Sequence, residues 1–149
     1  MILIDSNVIY NFLFETELID RAERILNLEE SFFITFTVWN EVVYVTSRKI
    51  AEIKFGIKSY RKFREFVASN GFDFCSKELE LLERMIEDLN IRILSDVQNT
   101  TEVREHMEKY KLLPNDALIA ATCKHYGISK IATFDEDFRR VDFLEVIEL

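Results

Sequence analysis

The chain has 149 residues, enough to bury the core of one domain, and 48% hydrophobic against 31% charged residues marks it as globular rather than disordered. Its formal net charge of −8 argues, at face value, against a polyanionic partner. No apolar run approaches the length of a membrane span, and the opening run is too short for a signal peptide and has no basic leader.

Met1-Ile2-Leu3-Ile4 is a short apolar run that ends on Asp5, so Ile2 to Ile4 reads as a central strand. Val8 to Phe14 and Leu18 to Leu28 read as helices, the second with Ile19, Ala22, Ile25 and Leu26 at helical spacing. Phe32 to Thr35 is a β-prone run, and Thr37 is read as the cap of a helix that continues to about Ile50. A basic amphipathic helix comes next, near Lys58 to Ser69, and stops at Asn70-Gly71. Ser76 is read as the cap of Lys77 to Leu89, and Ile91 to Leu94 as a third strand. Gln98 to Tyr110 is helical and polar. Pro114-Asn115 opens the helix Asp116 to Tyr126, which Gly127 stops. Lys130 to Thr133 and Phe143 to Ile147 supply a fourth and a fifth strand. Strands alternating with helices predict an α/β fold: one domain over residues 1–149, with a mostly parallel sheet flanked by helices on both faces. Thirteen Phe against three Gly and one Pro point to short loops.

Cys75 and Cys123 are far apart and lack metal-ligand spacing, so they read as buried or partly buried thiols in a reducing cytoplasm. His106 and His125 are isolated and read as surface residues, with no zinc site. The basic residues are unevenly spread. Seven (Arg48, Lys49, Lys54, Lys58, Arg61, Lys62, Arg64) stand against one acid, Glu52, between positions 48 and 64. Such a run is ordinarily a solvated helix face. With Phe55, Tyr60 and Phe63 interleaved, Lys58, Arg61 and Lys62 are also candidates for contact with nucleic-acid phosphates.

Four carboxylates stand out, each with an ordinary reading beside the chemical one. Asp5 follows a strand and precedes a helix, where it is either a cap or a carboxylate at the ligand-binding edge of an open sheet. Glu41 sits in the apolar stretch Val38 to Val45. It belongs either to a thin wet stripe with Asn40, Tyr44 and Arg48, or to a position over the end of the first strand. Asp116 opens an apolar, small-residue helix, where an acid also suits the helix dipole. Asp135 follows the fourth strand in Thr133-Phe134-Asp135-Glu136-Asp137-Phe138, which is otherwise a solvated acidic turn. An EF-hand is excluded there, because Arg140 and Val146 occupy the positions that need Gly and Glu. Asp96, after the third strand, reads as a cap.

The motifs Ile4-Asp5-Ser6-Asn7-Val8-Ile9, Asn40-Glu41, Asn115-Asp116-Ala117-Leu118-Ile119-Ala120-Ala121 and Thr133-Phe134-Asp135-Glu136-Asp137-Phe138 run end to end in one order. In these the chain resembles the PIN-domain nucleases, most closely the single-domain VapC-type toxins of toxin–antitoxin systems. The resemblance implies a five-stranded sheet of order 3-2-1-4-5 and a Mg²⁺- or Mn²⁺-dependent ribonuclease. It also implies a homodimer and an antitoxin that blocks the site, in keeping with the cytoplasmic location read from the cysteines. By position, Asp5, Glu41, Asp116 and Asp135 would be the catalytic, metal-binding acids, and Ser6, Asn7, Thr133 and Asp137 supporting groups. Oxygen-only donors select hard cations, in keeping with that metal. Two rivals belong to other classes. A haloacid-dehalogenase-type phosphatase wants a second acid where this chain has Asn7. A non-catalytic scaffold or protein-binding module on the same fold would have no use for metal in an acidic pocket.

Overall fold

The opening apolar run forms β1 (Ile2–Ile4), in which every residue is at most 1% exposed. Successive strand residues face opposite sides of a sheet, so this strand is covered on both. The computed structural model describes residues 1–149. In it β2 (Phe32–Thr35) is likewise buried at each position. β1 pairs in parallel with β2 on one side and with β4 (Lys130–Ala132) on the other, with Leu3 opposite both Phe33 and Ile131. β3 (Arg92–Leu94) and β5 (Glu145–Val146) are the edges, giving the all-parallel order β3-β2-β1-β4-β5. All strand ends therefore point the same way, and the residues just after each strand gather at the C-terminal edge.

Seven helices surround the sheet: α1 (Ser6–Leu13), α2 (Ile19–Leu26), α3 (Phe36–Phe55), α4 (Tyr60–Asn70), α5 (Ser76–Asp88), α6 (Thr100–Tyr110) and α7 (Pro114–Tyr126). α1 packs on α2 and α3, and α6 packs on α7. α7 buries Ala117, Ile119, Ala120, Ala121, Thr122 and Cys123, nearly all of its circumference. The small residues let it lie close to its neighbours, and its first turn carries Asp116. Gly127, at φ +69°, ends it in the left-handed conformation that costs a glycine least. Both cysteines are free and buried. No helix is long and apolar enough to cross a membrane.

Several boundaries differ from the sequence reading. The cap of α3 is Thr35, whose Oγ1 accepts from the Val38 amide at 3.1 Å, not Thr37, and the helix runs on to Phe55. Ser76 does not cap α5: a short 3-10 helix, Asp73–Cys75, leads straight into it, and Ser76 is already helical. β4 stops at Ala132, which releases Thr133 from the ladder for side-chain bonding. β5 is shortened to two residues, while Phe143 turns its ring toward His106. His106 is buried rather than superficial, being 5% exposed. Its ring packs against Tyr110 and Phe143, and its Nδ1 lies 2.8 Å from the Glu102 carbonyl. His125 is at the surface, as read.

Asp96 is a cap, but for a helix distant in sequence. Its carboxylate accepts from the Thr37 amide at 3.1 Å, so two donors in the first turn of α3 are answered, one by Thr35 and one across the sheet by Asp96. Asp96→Ala is expected to lower the unfolding free energy by about 1 kcal/mol. Urea titration checks this through a lower midpoint at an unchanged slope.

Candidate active site

Asp5 sits where β1 ends. Its own amide continues the ladder to the Ala132 carbonyl at 2.9 Å, which fixes the side chain at the C-terminal edge beside Thr133. The carboxylate is 5% exposed and bonded through both oxygens. Oδ1 accepts from the Ser6 amide at 2.7 Å; Oδ2 accepts from the Thr133 hydroxyl at 2.6 Å and from Asn7 Nδ2 at 3.0 Å. Asn7 also donates to Thr133 Oγ1 at 3.1 Å, and its Oδ1 accepts from the Phe134 amide at 3.1 Å. Thr133 Oγ1 further accepts from the Asp135 amide at 3.0 Å. Asp135 in turn caps the 3-10 helix Glu136–Arg140 by accepting from the Asp137 amide at 2.8 Å. Asp5 thus caps α1 and stands, buried, at the C-terminal edge of the sheet.

Glu41 on α3, Asp116 on α7 and Asp135 after β4 line one cleft of about 470 Å³, together with Leu113, Pro114 and Asn115. Glu41 and Asp116 make no hydrogen bond or ion pair within the chain, so their carboxylates are free to turn. Asp5 lies buried alongside. Burial pushes its pKa up to about 6, and the charges of Glu41 and Asp116 push the same way, against the Thr133 and Ser6 bonds. Burial also raises Asp116 to about 6, reinforced by Asp135, Glu41 and Asp137 and opposed by Arg140. The four candidate acids therefore converge electrostatically. As the side chains lie, no three His, Cys, Asp or Glu residues are close enough to hold one ion. The donor set nevertheless fits a hard divalent cation: it is all oxygen, it is self-repelling, and two of its members are unengaged.

Asp137 faces away from this cleft toward Arg140, whose Nη1 donates to it at 2.7 Å. Arg140 also donates from Nε to the Tyr110 carbonyl and from Nη2 to the Lys111 carbonyl, each at 2.8 Å. The sequence reading missed this arginine as a member of the site. Its three-residue spacing from Asp137 was visible, but its anchorage on the end of α6 is a tertiary contact. Asn115, read only as part of a motif, also lines the cleft.

Of the basic candidates, Lys58 lines a neighbouring cavity of about 480 Å³ with Ser6, Asn7, Glu41, Tyr44 and Arg48. Arg61 and Lys62 lie outside that cavity on the exposed face of α4, and Arg61 pairs with Glu65 at 3.1 Å.

The sequence profile of the PIN domain matches residues 2–144. Ribonuclease VapC2 of Methanocaldococcus jannaschii is 39% identical over 99% of this chain and 93% of its own length. Ribonuclease VapC6 of the same organism is 31% identical over 99% and 96%. Among solved structures, VapBC2 from Rickettsia felis, bound to a DNA fragment from their promoter, aligns over 99% of this chain and 98% of its own, with TM-score 0.61 and 18% identity. A toxin–antitoxin complex from Klebsiella pneumoniae aligns over 99% and 97%, with TM-score 0.60 and 20% identity. FitAcB from Neisseria gonorrhoeae aligns over the same shares, with TM-score 0.61 and 21% identity. These structures share the fold, and the two relatives share the sequence along almost the whole chain. The chain belongs to the PIN domain family.

Proposed function

We infer that this protein is a divalent-metal-dependent endoribonuclease that hydrolyses RNA phosphodiester bonds, and that it is the toxin of a type II toxin–antitoxin pair. The observation that carries the reading is the convergence of four carboxylates from β1, α3, α7 and the β4 loop, two of them raised to about 6 by burial and mutual repulsion. Arg140 offsets only part of that charge at Asp116, and Mg²⁺ or Mn²⁺ would supply the rest. Two relatives named ribonucleases, and neighbours in fold that are toxin–antitoxin complexes, support the substrate and the partner. A homodimer and a cytoplasmic location go with that reading.

Asp5, Glu41, Asp116 and Asp135 would hold the cation, which when bound polarises a phosphate oxygen, acidifies the attacking water and stabilises the leaving oxygen. The protein's own part is orientation. Thr133, Asn7 and the Ser6 amide hold Asp5 in one rotamer. Carboxylates offer about four lone-pair directions, and three of those on Asp5 are taken, which leaves one on Oδ1. Asp135 is aimed by its bond to the Asp137 amide. Arg140 holds Asp137 out of the cleft and opposes part of the negative field at Asp116.

Asp116 is a cleaner probe than Asp5. An amide at position 5 would set its NH₂ against the Asn7 amide, whereas Asp116 has no protein donor to lose. Asp116→Asn is expected to reduce cleavage of a mixed RNA pool at least about 100-fold, a scale comparable to losing one group that stabilises transition-state charge. EDTA should abolish the wild-type activity, and Mg²⁺ or Mn²⁺ should restore it. Cleavage that survives both EDTA and the substitution would refute the nuclease assignment.

A second expectation concerns stability. A carboxyl whose pKa is raised on folding binds its proton more tightly in the native state. Stability therefore falls as pH rises from the unfolded value of 3.8 through about 6. In EDTA at neutral pH, Asp116→Asn should melt above wild type, and the gap should close as pH drops through that window. Mn²⁺ should raise the wild-type melting temperature and leave the variant nearly unmoved. Differential scanning fluorimetry across pH reads both effects, and equal Mn²⁺ shifts in the two proteins would contradict the assigned donors.

A further inference from the structure

The acidic cleft does not end at Glu41. That residue also lines the neighbouring cavity of about 480 Å³, whose far wall holds Arg48, Lys49, Glu52 and Lys58 and whose sides hold Tyr10 and Tyr44. Tyr44 and Glu41 further share a cleft of about 470 Å³ with Thr37, Asn40 and Asn115, so the surface is continuous from Asp116 to Arg48. Glu41 and Arg48 are seven residues apart on α3, two turns along one face and about 10 Å of axial rise.

Arg48 is clamped by its neighbours. Nη1 donates to the Tyr44 hydroxyl at 2.8 Å and Nη2 to the Lys58 carbonyl at 2.9 Å. The guanidinium lies 5.3 Å from the Phe63 ring centre and 5.7 Å from that of Tyr44. Two of its five N–H donors are thus used, and neither Arg48 nor Lys58 has a carboxylate partner among the ion pairs of the chain. Of the acids in the same cavity, Glu52 faces Lys49 at 3.8 Å, and Glu41, which has no partner in the chain, also lines the acidic cleft. A fixed guanidinium with no carboxylate partner, beside a lysine whose ammonium is likewise unpaired and with aromatic rings in the wall, has the chemistry to receive a phosphate next to a base.

We propose that this cavity is a single-stranded RNA subsite, in which Arg48 and Lys58 grip the phosphate that flanks the one cleaved and Tyr10 and Tyr44 face its nucleoside. The assignment rests on the ribonuclease reading and adds the path of the strand: from the acidic cleft along α3 toward the α3–α4 loop. It reconciles a chain of net charge −8 with a polyanionic substrate, because the positive charge is local and adjoins the site. It also separates Lys58 from Arg61 and Lys62, which stand outside the cavity.

The test is binding, not cleavage. A short fluorescein-labelled single-stranded RNA of randomised sequence is titrated by anisotropy, at several salt concentrations, into Asp116→Asn protein. Adding Arg48→Ala or Lys58→Ala is expected to weaken binding about tenfold at low salt and to lower the salt slope by about one. Arg48→Lys should recover part of the loss. Lys58→Ala guards against a merely structural effect, since the Lys58 side chain makes no bond in the fold and the clamp on its carbonyl survives. Arg61→Ala with Lys62→Ala should leave the slope unchanged. The subsite is overturned if Lys58→Ala leaves slope and affinity alone, if only the Arg61 and Lys62 pair changes them, or if no salt-dependent binding occurs. The first of these outcomes would leave the cavity to a protein segment. Failure of the nuclease reading is seen separately, as undiminished cleavage by Asp116→Asn.

Discussion

The hydroxyl of Thr133 is the joint on which the site depends. It donates to Asp5 Oδ2 and accepts from Asn7 and from the Asp135 amide, which uses its full bonding capacity. Those contacts tie the segment after β1 to the segment after β4, two strands that are neighbours in the sheet and parallel. Only a parallel pair brings both C-terminal ends to one edge. A buried carboxylate is tolerable there because it is answered by three donors, which also set its rotamer, while Thr133 holds the Asp135 amide and the Asp137 amide aims the Asp135 carboxylate. Stability of the edge and geometry of the site are one network.

That network stabilises Asp5 without cancelling the charge around it. Burial and neighbouring charge push Asp5 and Asp116 up to about 6, so the fold carries its acids at a cost that a bound cation would remove. Arg140 is the internal counterweight. It is anchored on the carbonyls of Tyr110 and Lys111, at the C-terminal end of α6, where helix carbonyls lack intrahelical donors and favour a cation. It opposes the rise at Asp116 while its third bond occupies Asp137. The cleft therefore keeps its negative field toward Glu41, Asp116 and Asp135.

The features legible in the sequence were local and periodic. β1 and β2 fell where apolar runs stop at Asp5 and Thr35, and α7 where Pro114 starts and Gly127 stops a run of small residues. The four candidate acids were singled out because each sits beside such a boundary or inside an apolar helix. The misread features needed partners distant in the chain. Thr35 and Thr37 are equally good caps by residue type, and the choice falls on Thr35 because Asp96, far along the sequence, takes the Thr37 amide. His106 looked superficial on a polar helix, yet Tyr110 and Phe143 cover it. The 3-10 turn before α5 has no periodicity to betray it, and it displaced Ser76 from the cap. Arg140 stood in plain view with its partners in another helix.

The stripe Glu41, Tyr44 and Arg48 shows why two opposed readings of one sequence can both hold. An apolar helix with a thin polar face reads as an ordinary wet stripe, and a lone acid in it reads as a site. α3 makes them the same thing. Its buried residues Val38, Val42, Thr46 and Ile50 fix which side turns inward, and the polar stripe is wet because it is the wall of a cleft rather than open surface. Helical spacing then sets the order along that wall: an acid at the sheet edge, an aromatic one turn on, and a clamped guanidinium at the second turn. One residue inserted between Glu41 and Arg48 would rotate the guanidinium by about 100° about the axis, and Ile50 would turn off the core with it. The burial that holds α3 in register is therefore the same constraint that links the acidic half of the surface to its basic half.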